Sequence, residues 1–471
     1  MATKEKPNIV IMLSDDVGYS DLGCYGGGTM RDHPTPHLDR MAAEGMKFTD
    51  FYTQPTCTPS RAALLTGRLP IRTGLTHVLA PRTNEGMPPS EYTLGRLMSD
   101  AGYSTAMYGK NHVGDNEASI PSNFGFDEFW GFVYHLDALE YHRMWDFPQD
   151  DDYIKRWRAL QIIEGQKGKG WNEVDFLDTP EFQSIIDRKI ADRSVKFIRD
   201  HAQDEKPFFL HVCWSKCHVN VYPHPEFKRL SQAGRYGDGL MEMDHHCGMI
   251  LNAIREAGIA ENTLVIWTSD NGPMIASYEG TQTGITLFRG QKGGTWEGGM
   301  RQPLIAWWPG TIAPGTSTGE LMTIMDLYTT CAHLAGAGHK IEELRKDRVV
   351  DGNNQVPLLK GTGPSATKTV FYYNHNRLMA IRGCKAGSKW KLHLRYQEPW
   401  RTGGPGLAEW YGGIQEPAVP LLFDIKQDPF EMWPQSEVRA WAVVSVMEEV
   451  YAHVMEMERF PNIKQGFPLK Y

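Results

Sequence analysis

The chain has 471 residues, 41 % of them hydrophobic, enough for a sizeable buried core and more than one ordinary core uses. Its 57 acidic and 49 basic residues leave a net charge of −8, with no block of Lys/Arg, so neither nucleic acid nor a membrane surface is an expected partner. No apolar run is long enough to span a bilayer.

The opening Met1-Ala2-Thr3-Lys4-Glu5-Lys6-Pro7 has no signal-peptide hydrophobic region, so a soluble, cytoplasmic protein is expected, or a periplasmic or secreted one if a leader has been removed. Seven cysteines without paired spacing point to reduced thiols rather than a disulfide framework. Cys213 and Cys217 beside His218 hint at zinc, but no second ligand pair lies nearby.

In chain order, Asn8 to Leu13 is a continuous apolar run, the pattern of a parallel strand covered on both faces, and it stops abruptly at Ser14-Asp15-Asp16. Thr35-Pro36 opens a helix that ends at Gly45. In Pro55-Thr56-Cys57-Thr58-Pro59-Ser60-Arg61, Thr58 is expected to cap a helix with Pro59 at its first position, placing Cys57 at the positive helix end, where an anion is favoured. A helix over Thr93–Ala101 precedes a strand over Ser104–Tyr108, followed by Gly109-Lys110-Asn111-His112. Residues 141–178 lack periodicity and read as an insertion over a pocket.

A helix over Glu181–His201 leads to a strand from Phe208 to Trp214, with His218 just beyond its end. A helix over Leu240–Ala257 leads to a strand over Leu264–Ser269, which stops at Asp270-Asn271-Gly272. Residues from Gly272 to Phe288 are expected at a substrate rim, and Lys292 follows in the glycine-rich stretch Arg289–Gly299. Beyond Pro364-Ser365, short strands are expected at Thr369–Tyr373, Leu378–Arg382, Lys389–Leu394 and Leu421–Ile425, closed by a helix over Ser436–Met457.

Strands alternating with helices define an α/β protein: a large domain, residues 1–364, with a mostly parallel central sheet flanked by helices. Residues 365–471 form a smaller C-terminal α+β domain with an antiparallel sheet. Ligands of such sheets bind outside the carboxyl ends of the strands, where these polar clusters fall. Asp15, Asp16, Asp270 and Asn271 form an all-oxygen set suited to a hard cation, Ca²⁺ or Mg²⁺. Taken singly, the lysines and Arg61 would be solvated charges, the histidines structural and Cys57 a packed thiol.

Together these segments carry a resemblance. Cys57-Thr58-Pro59-Ser60-Arg61, continued by Leu64-Leu65-Thr66-Gly67-Arg68, looks like the C-x-P-S-R signature of the sulfatases, and the other motifs follow in the expected order as far as Leu422-Phe423-Asp424. The resemblance implies that Cys57 is oxidised by a formylglycine-generating maturation enzyme, and that the hydrated aldehyde is the nucleophile toward a sulfate monoester. It implies calcium, rather than magnesium, on Asp15, Asp16, Asp270, Asn271 and position 57. Arg61 and Lys110 would hold nucleophile and sulfate, His112 would deprotonate the second hydroxyl, and Lys292 and His218 would bind sulfate and assist the departing oxygen, one of them or a water giving its proton.

Two departures stand out: Cys217 precedes His218 where the family has proline, and Asn111 replaces an aromatic residue, which would widen or polarise the pocket floor. A phosphonate or phosphate ester hydrolase of the same superfamily is the rival reading, and a non-catalytic binder of sulfate esters or glycans another. Trp145, Trp157, Trp171 and Trp296 are candidates for an aryl or sugar subsite, core packing being their competing role. His33, His77, His245, His246 and His375 are left out of the site. The alcohol portion and the oligomeric state are not encoded in any motif.

Overall fold

A computed structural model describes residues 6–275, 284–383, 385, 387–397 and 413–463. Its main sheet contains strands β1 (Asn8–Ser14), β2 (Met46–Tyr52), β3 (Ser104–Lys110), β4 (Glu128–Phe132), β5 (Ile162–Gln166), β6 (Gly170–Asp175), β7 (Phe208–Cys213), β8 (Thr263–Ser269), β9 (Arg301–Trp307), β10 (Thr316–Thr318) and β11 (Met322–Thr323). The spatial order is β10-β2-β9-β8-β1-β7-β3-β4-β5-β6, with β11 beside β2.

Strands β8, β1, β7, β3 and β4 run parallel. Every residue of β1, β7 and β8 is buried, as their unbroken apolar runs require of strands covered on both faces. Strand β9 runs antiparallel to β8 and β2, so its N-terminal end lies at the sheet edge where β1, β7 and β8 finish. Helices Pro36–Glu44, Ile186–His201 and Gly234–Glu256 pack together in one group, and Cys57–Thr66, Leu94–Asp100 and Ile324–Leu334 in another.

A second, antiparallel sheet joins β12 (Val370–Asn374), β13 (Arg377–Arg382), β14 (Trp390–His393) and β17 (Leu421–Asp424), with the helix Ala440–Arg459 against it. A short ladder pairs β15 (Tyr396–Gln397) with β16 (Ile414–Gln415). Buried charges join the small sheet to the large one. Glu297 receives the hydroxyls of Tyr52 at 2.6 Å and Tyr372 at 2.8 Å, and pairs with Arg382 at 3.2 Å and Lys391 at 3.1 Å. Lys391 also reaches Glu431 at 2.8 Å, which accepts the Glu297 amide at 2.8 Å.

Three expectations are corrected. Residues 141–178 are more than a covering loop: β5 and β6 lie within them and extend the main sheet beyond β4. Their alternating burial is weak in sequence because β6 is a half-exposed edge strand. The helix foreseen at 181–201 is two, Pro180–Ser184 and Ile186–His201, broken at Ile185. The next helix starts at Gly234, before Leu240, its beginning disguised by three glycines. At Gly239 a β-carbon would meet Val221 at 2.6 Å, so glycine there lets the segment after β7 pack against the helix.

Candidate active site

The acidic pair Asp15-Asp16 leaves β1 directly beside Asp270-Asn271, which leaves β8. The strand ends are tied past the regular ladder, the Asp270 amide donating to Ser14 O at 3.0 Å and the Trp214 amide to Leu13 O at 2.9 Å. Asp16 takes a positive φ of 58°, a conformation that costs a non-glycine residue on the order of 1 kcal/mol or more. Carboxylate oxygens of Asp15, Asp16 and Asp270 lie within 4.8 Å of one another.

Three cationic side chains, with His218 beside them, neutralise and orient them. Arg61 donates to Asp270 Oδ2 from Nε at 3.1 Å and Nη2 at 2.8 Å, and from Nη1 to Lys110 O at 2.7 Å. Lys110 Nζ reaches Asp15 Oδ2 at 2.5 Å, and Lys292 Nζ reaches Asp16 Oδ2 at 2.7 Å. The His218 Nε2 lies 3.9 Å from the same Asp16 oxygen. Burial alone would raise the Asp15 carboxyl, but Lys110, His218, Arg61 and Lys292 hold it well below the usual carboxylate range. Burial, with the charge of Asp15, pushes Asp270 upward.

Despite this crowd of donors, Asp15 Oδ1 and Asn271 Oδ1 are buried without a hydrogen-bond partner. Asn271 spends its amide nitrogen on Asp16 Oδ1 at 2.7 Å and Gly272 O at 2.9 Å. Unpaired buried oxygens are costly. Oxygen-only donors with two idle acceptors fit a hard divalent cation.

Cys57 is the first residue of the helix Cys57–Thr66, every residue of which is buried. Thr56, not Thr58, occupies the N-cap position; Thr58 Oγ1 instead accepts the Leu79 amide at 3.2 Å. Ser60 fixes the helix entry, accepting from the Gln54 amide at 2.9 Å and donating to Gln54 O at 3.1 Å. The placement of Cys57 at the helix's positive end is unchanged. Burial pushes its thiol up to about 11, against the pull of Lys110 and Lys292. Its sulfur, an Asp15 oxygen and a His218 nitrogen fall within 4.8 Å of one another.

Lys292 is pinned from both sides, its amide donating to Pro273 O at 3.0 Å and that of Gly293 to Pro55 O at 2.7 Å. This segment reaches the site because β9, which follows it, runs backwards. His112, at φ 54°, has Nε2 3.3 Å from Leu79 O, while Nδ1 is buried without a partner. Burial and Lys110 hold its imidazole far below neutrality. His218 Nδ1 abuts Val219 O, and burial with the Lys292 charge takes this ring down to about 4.

The structure thus brings together Asp15, Asp16, Cys57, Arg61, Lys110, His112, His218, Asp270, Asn271 and Lys292. Asn111 turns aside, donating to Ser119 O at 2.8 Å. Of the tryptophans, Trp145 is 95 % exposed, Trp171 donates to Glu117, and Trp296 is buried, donating to Gln397 O. Residues 276–283 of the expected rim lie outside the described residues. Six cysteines, Cys24, Cys57, Cys213, Cys217, Cys247 and Cys331, are free thiols. His135 and Asp137 escaped the sequence reading: His135 lies between His112, at a ring distance of 5.3 Å, and His218, at 5.7 Å. The one available signal was position, just past the end of β4 at the same sheet edge.

A mostly parallel sheet with carboxylates, cations and a helix-terminal cysteine gathered at its carboxyl edge fits the hydrolases of the alkaline phosphatase superfamily. Comparison with known proteins narrows the class. The Sulfatase family matches residues 7–337, and the C-terminal region of aryl-sulfatase matches residues 365–467. An arylsulfatase of Hemicentrotus pulcherrimus is 36 % identical over 467 residues, covering 91 % of this chain and 77 % of that protein. The N-acetylgalactosamine-6-sulfatase of Rattus norvegicus is 36 % identical over 456 residues, covering 91 % and 81 %. The crystal structure of PsFucS1 sulfatase from Pseudoalteromonas sp. superposes with a TM-score of 0.89 at 34 % identity, covering 98 % of this chain and 92 % of that one. The chain belongs to the sulfatase family and is a sulfuric ester hydrolase.

Proposed function

We propose that this enzyme hydrolyses the sulfate monoester of an aryl or carbohydrate alcohol, with Cys57 oxidised to formylglycine and calcium held by Asp15, Asp16, Asp270, Asn271 and position 57. The observation carrying the reading is the pair of idle buried acceptors, Asp15 Oδ1 and Asn271 Oδ1, set beside Cys57 at a helix N-terminus. Formylglycine would supply a hydrated aldehyde, whose two hydroxyls allow attack on sulfur and later release of sulfate. Calcium would supply charge that acidifies a neighbouring hydroxyl and orients sulfate oxygens.

The chain's own groups do the rest. Lys110 and Lys292, anchored on Asp15 and Asp16, present fixed positive charge where the sulfuryl group gains negative charge, and burial strengthens that interaction. Arg61 fixes the orientation of Asp270 by donating from two nitrogens to the one oxygen Oδ2. If His112 donates from Nε2 to Leu79 O, its unpartnered Nδ1 is a lone pair able to remove a proton beside position 57. His218, 3.9 Å from Asp16 and close to Cys57, would bind sulfate beside position 57.

The deciding experiment joins two measurements: the mass of the tryptic peptide Phe48–Arg61 with and without an aldehyde trap, and sulfate release with and without calcium. Formylglycine at position 57 together with calcium-dependent release supports the proposal. Unmodified cysteine in active enzyme, or faster turnover of an aryl phosphonate than of the matching sulfate, would sink it.

A further inference from the structure

The helices that feed the central parallel strands begin at the carboxyl edge of the sheet: Ile186–His201 runs back into β7, and Gly234–Glu256 into β8. Their starts therefore lie on the edge that carries the site, and between them is a cavity of about 660 Å³ to which the chemistry above assigns no role. One wall comes from Pro180, Ser184 and Ile185, the other from the segment that follows His218, beginning with Tyr222 and Pro223. Tyr222 is four residues past His218, so their α-carbons are at most about 14 Å apart. The opposite wall is tied to the same place. Gln183 donates to Leu136 O at 3.3 Å, and Asp137, next in sequence to Leu136, lies 3.7 Å from His218 Nδ1.

The cleft carries an excess of positive charge. Lys228, Arg229 and Arg235 line it, against the acids Glu181 and Asp238. Asp238 is buried and spends both oxygens on the backbone, accepting the Arg229 amide at 2.7 Å and the Ser231 amide at 2.8 Å. That clamp holds Arg229 at a φ of 65°, a turn disfavoured for any residue but glycine or asparagine, and it turns two consecutive cationic residues to one cavity. Among the described residues, the side chains of Lys228 and Arg229 make no ion pair or hydrogen bond. A surface cation taken singly is solvated and needs no ligand. Three around one concave site, two of them without partners, attract an anion. Tyr222, Pro223 and Pro225 give the same cavity apolar faces, against which a sugar ring can pack while the cations fix its charged substituent.

We propose that this cleft is a second anion subsite, which takes a sulfate or carboxylate on a neighbouring sugar of an extended acidic glycan while the ester to be cleaved sits at position 57. The assignment rests on the carbohydrate-sulfate reading above and narrows it: the alcohol is an oligosaccharide with more than one negative charge, and the span from His218 to Tyr222 is short enough for adjoining sugars to bridge.

The test uses short-chain dextran sulfate, whose sugars carry sulfate at many positions, against neutral dextran of the same length. Both are read as inhibitors of 4-nitrophenyl sulfate hydrolysis, with rates normalised to formylglycine content, and by titration calorimetry. Dextran sulfate is expected to inhibit competitively and neutral dextran not at all. The double variant Lys228→Gln/Arg229→Gly, in which glycine suits the left-handed turn, should weaken that inhibition about tenfold or more, the loss of charged hydrogen bonds to one anion, with less than about twofold change on 4-nitrophenyl sulfate. Lys228→Gln alone, at an exposed position, stands in if the double variant does not fold by circular dichroism. The charge-matched control Lys340→Gln/Lys346→Gln, on the other helix group, should be inhibited like wild type. Equal inhibition of wild type and the cleft variant, an equal loss in the control, or no inhibition of wild type overturns the proposal. So does an equal weakening of inhibition by inorganic sulfate, which would place these cations at the first sulfate. Binding heats need no turnover, so failure of formylglycine-bearing wild type on every sulfate ester removes the sulfate-ester reading separately from the cleft's charge dependence.

Discussion

Asp16 and His112 both hold positive φ angles, the region that favours glycine or asparagine over other side chains. In each case the unusual turn aims a side chain into the site at the end of a strand. His112→Asn keeps a residue tolerant of that turn, so the folded protein should persist with a melting temperature near that of wild type while kcat falls about 10²–10⁴-fold. Asp270→Ala behaves in the opposite way. It leaves Arg61 buried beside an empty position, and removal of one partner from a buried ion pair costs about 3–5 kcal/mol, readable as a lower urea midpoint. Far from the site, burial near Arg72 takes His453 down to about 4, while in the unfolded chain an imidazole titrates near 6.5. The unfolded chain therefore binds the proton first, and the stability associated with neutral His453 is present above about pH 6.5 and lost as pH falls toward 4. Urea titrations should show wild type losing on the order of 2–3 kcal/mol relative to His453→Gln across that window.

In the main sheet the legible strands are the apolar runs β1, β7 and β8 and the weaker β3, each within two residues of the segment the sequence suggests, and in the small sheet β12, β13, β14 and β17 each lie within one residue of theirs. With them came the ends that deliver Asp15, Lys110, His218 and Asp270, and hence most of the site. Strand β9 was hidden because it opens Arg301-Gln302-Pro303, a sequence that argues against a sheet interior. Arg301 is accommodated by Asp50 at 3.1 Å and Glu297 at 3.4 Å. Pro303 falls where β2 shifts register between Phe48 and Phe51. Those partners are remote in sequence, so no local pattern discloses them. His135 and Asp137 were missed for the same reason, since only the fold sets them between two histidines from other strands. Gly109 gives an element-level prediction: at φ 103° a β-carbon would lie 1.9 Å from Cys213 O on the adjacent strand. Gly109→Ala should force β3 and β7 apart, so that the variant accumulates as insoluble protein and any soluble fraction unfolds at lower urea.

At the scale of the molecule, the Lys292 segment belongs to both sheets. It is pinned against Pro55 and Pro273 at one end, while Glu297 is clasped by Arg382 and Lys391 of the small sheet. Lys391→Met would leave Glu297 and Glu431 near each other without their shared cation. Stability should fall by about 3–5 kcal/mol, and kcat should fall with it although residue 391 is not in the pocket; urea titration and turnover on one preparation check both. A chain ending at residue 364 would lack those cations altogether and is expected to stay insoluble when expressed alone. The burial of Cys57, 1 % exposed on a helix with no exposed residue, has a consequence in time rather than in space. Once the chain has closed, no modifying protein can reach that sulfur. Under the proposed oxidation of Cys57, modification and folding therefore compete for each newly made molecule, and the fraction of active enzyme in a preparation would record which came first, fixed at synthesis and beyond repair afterwards.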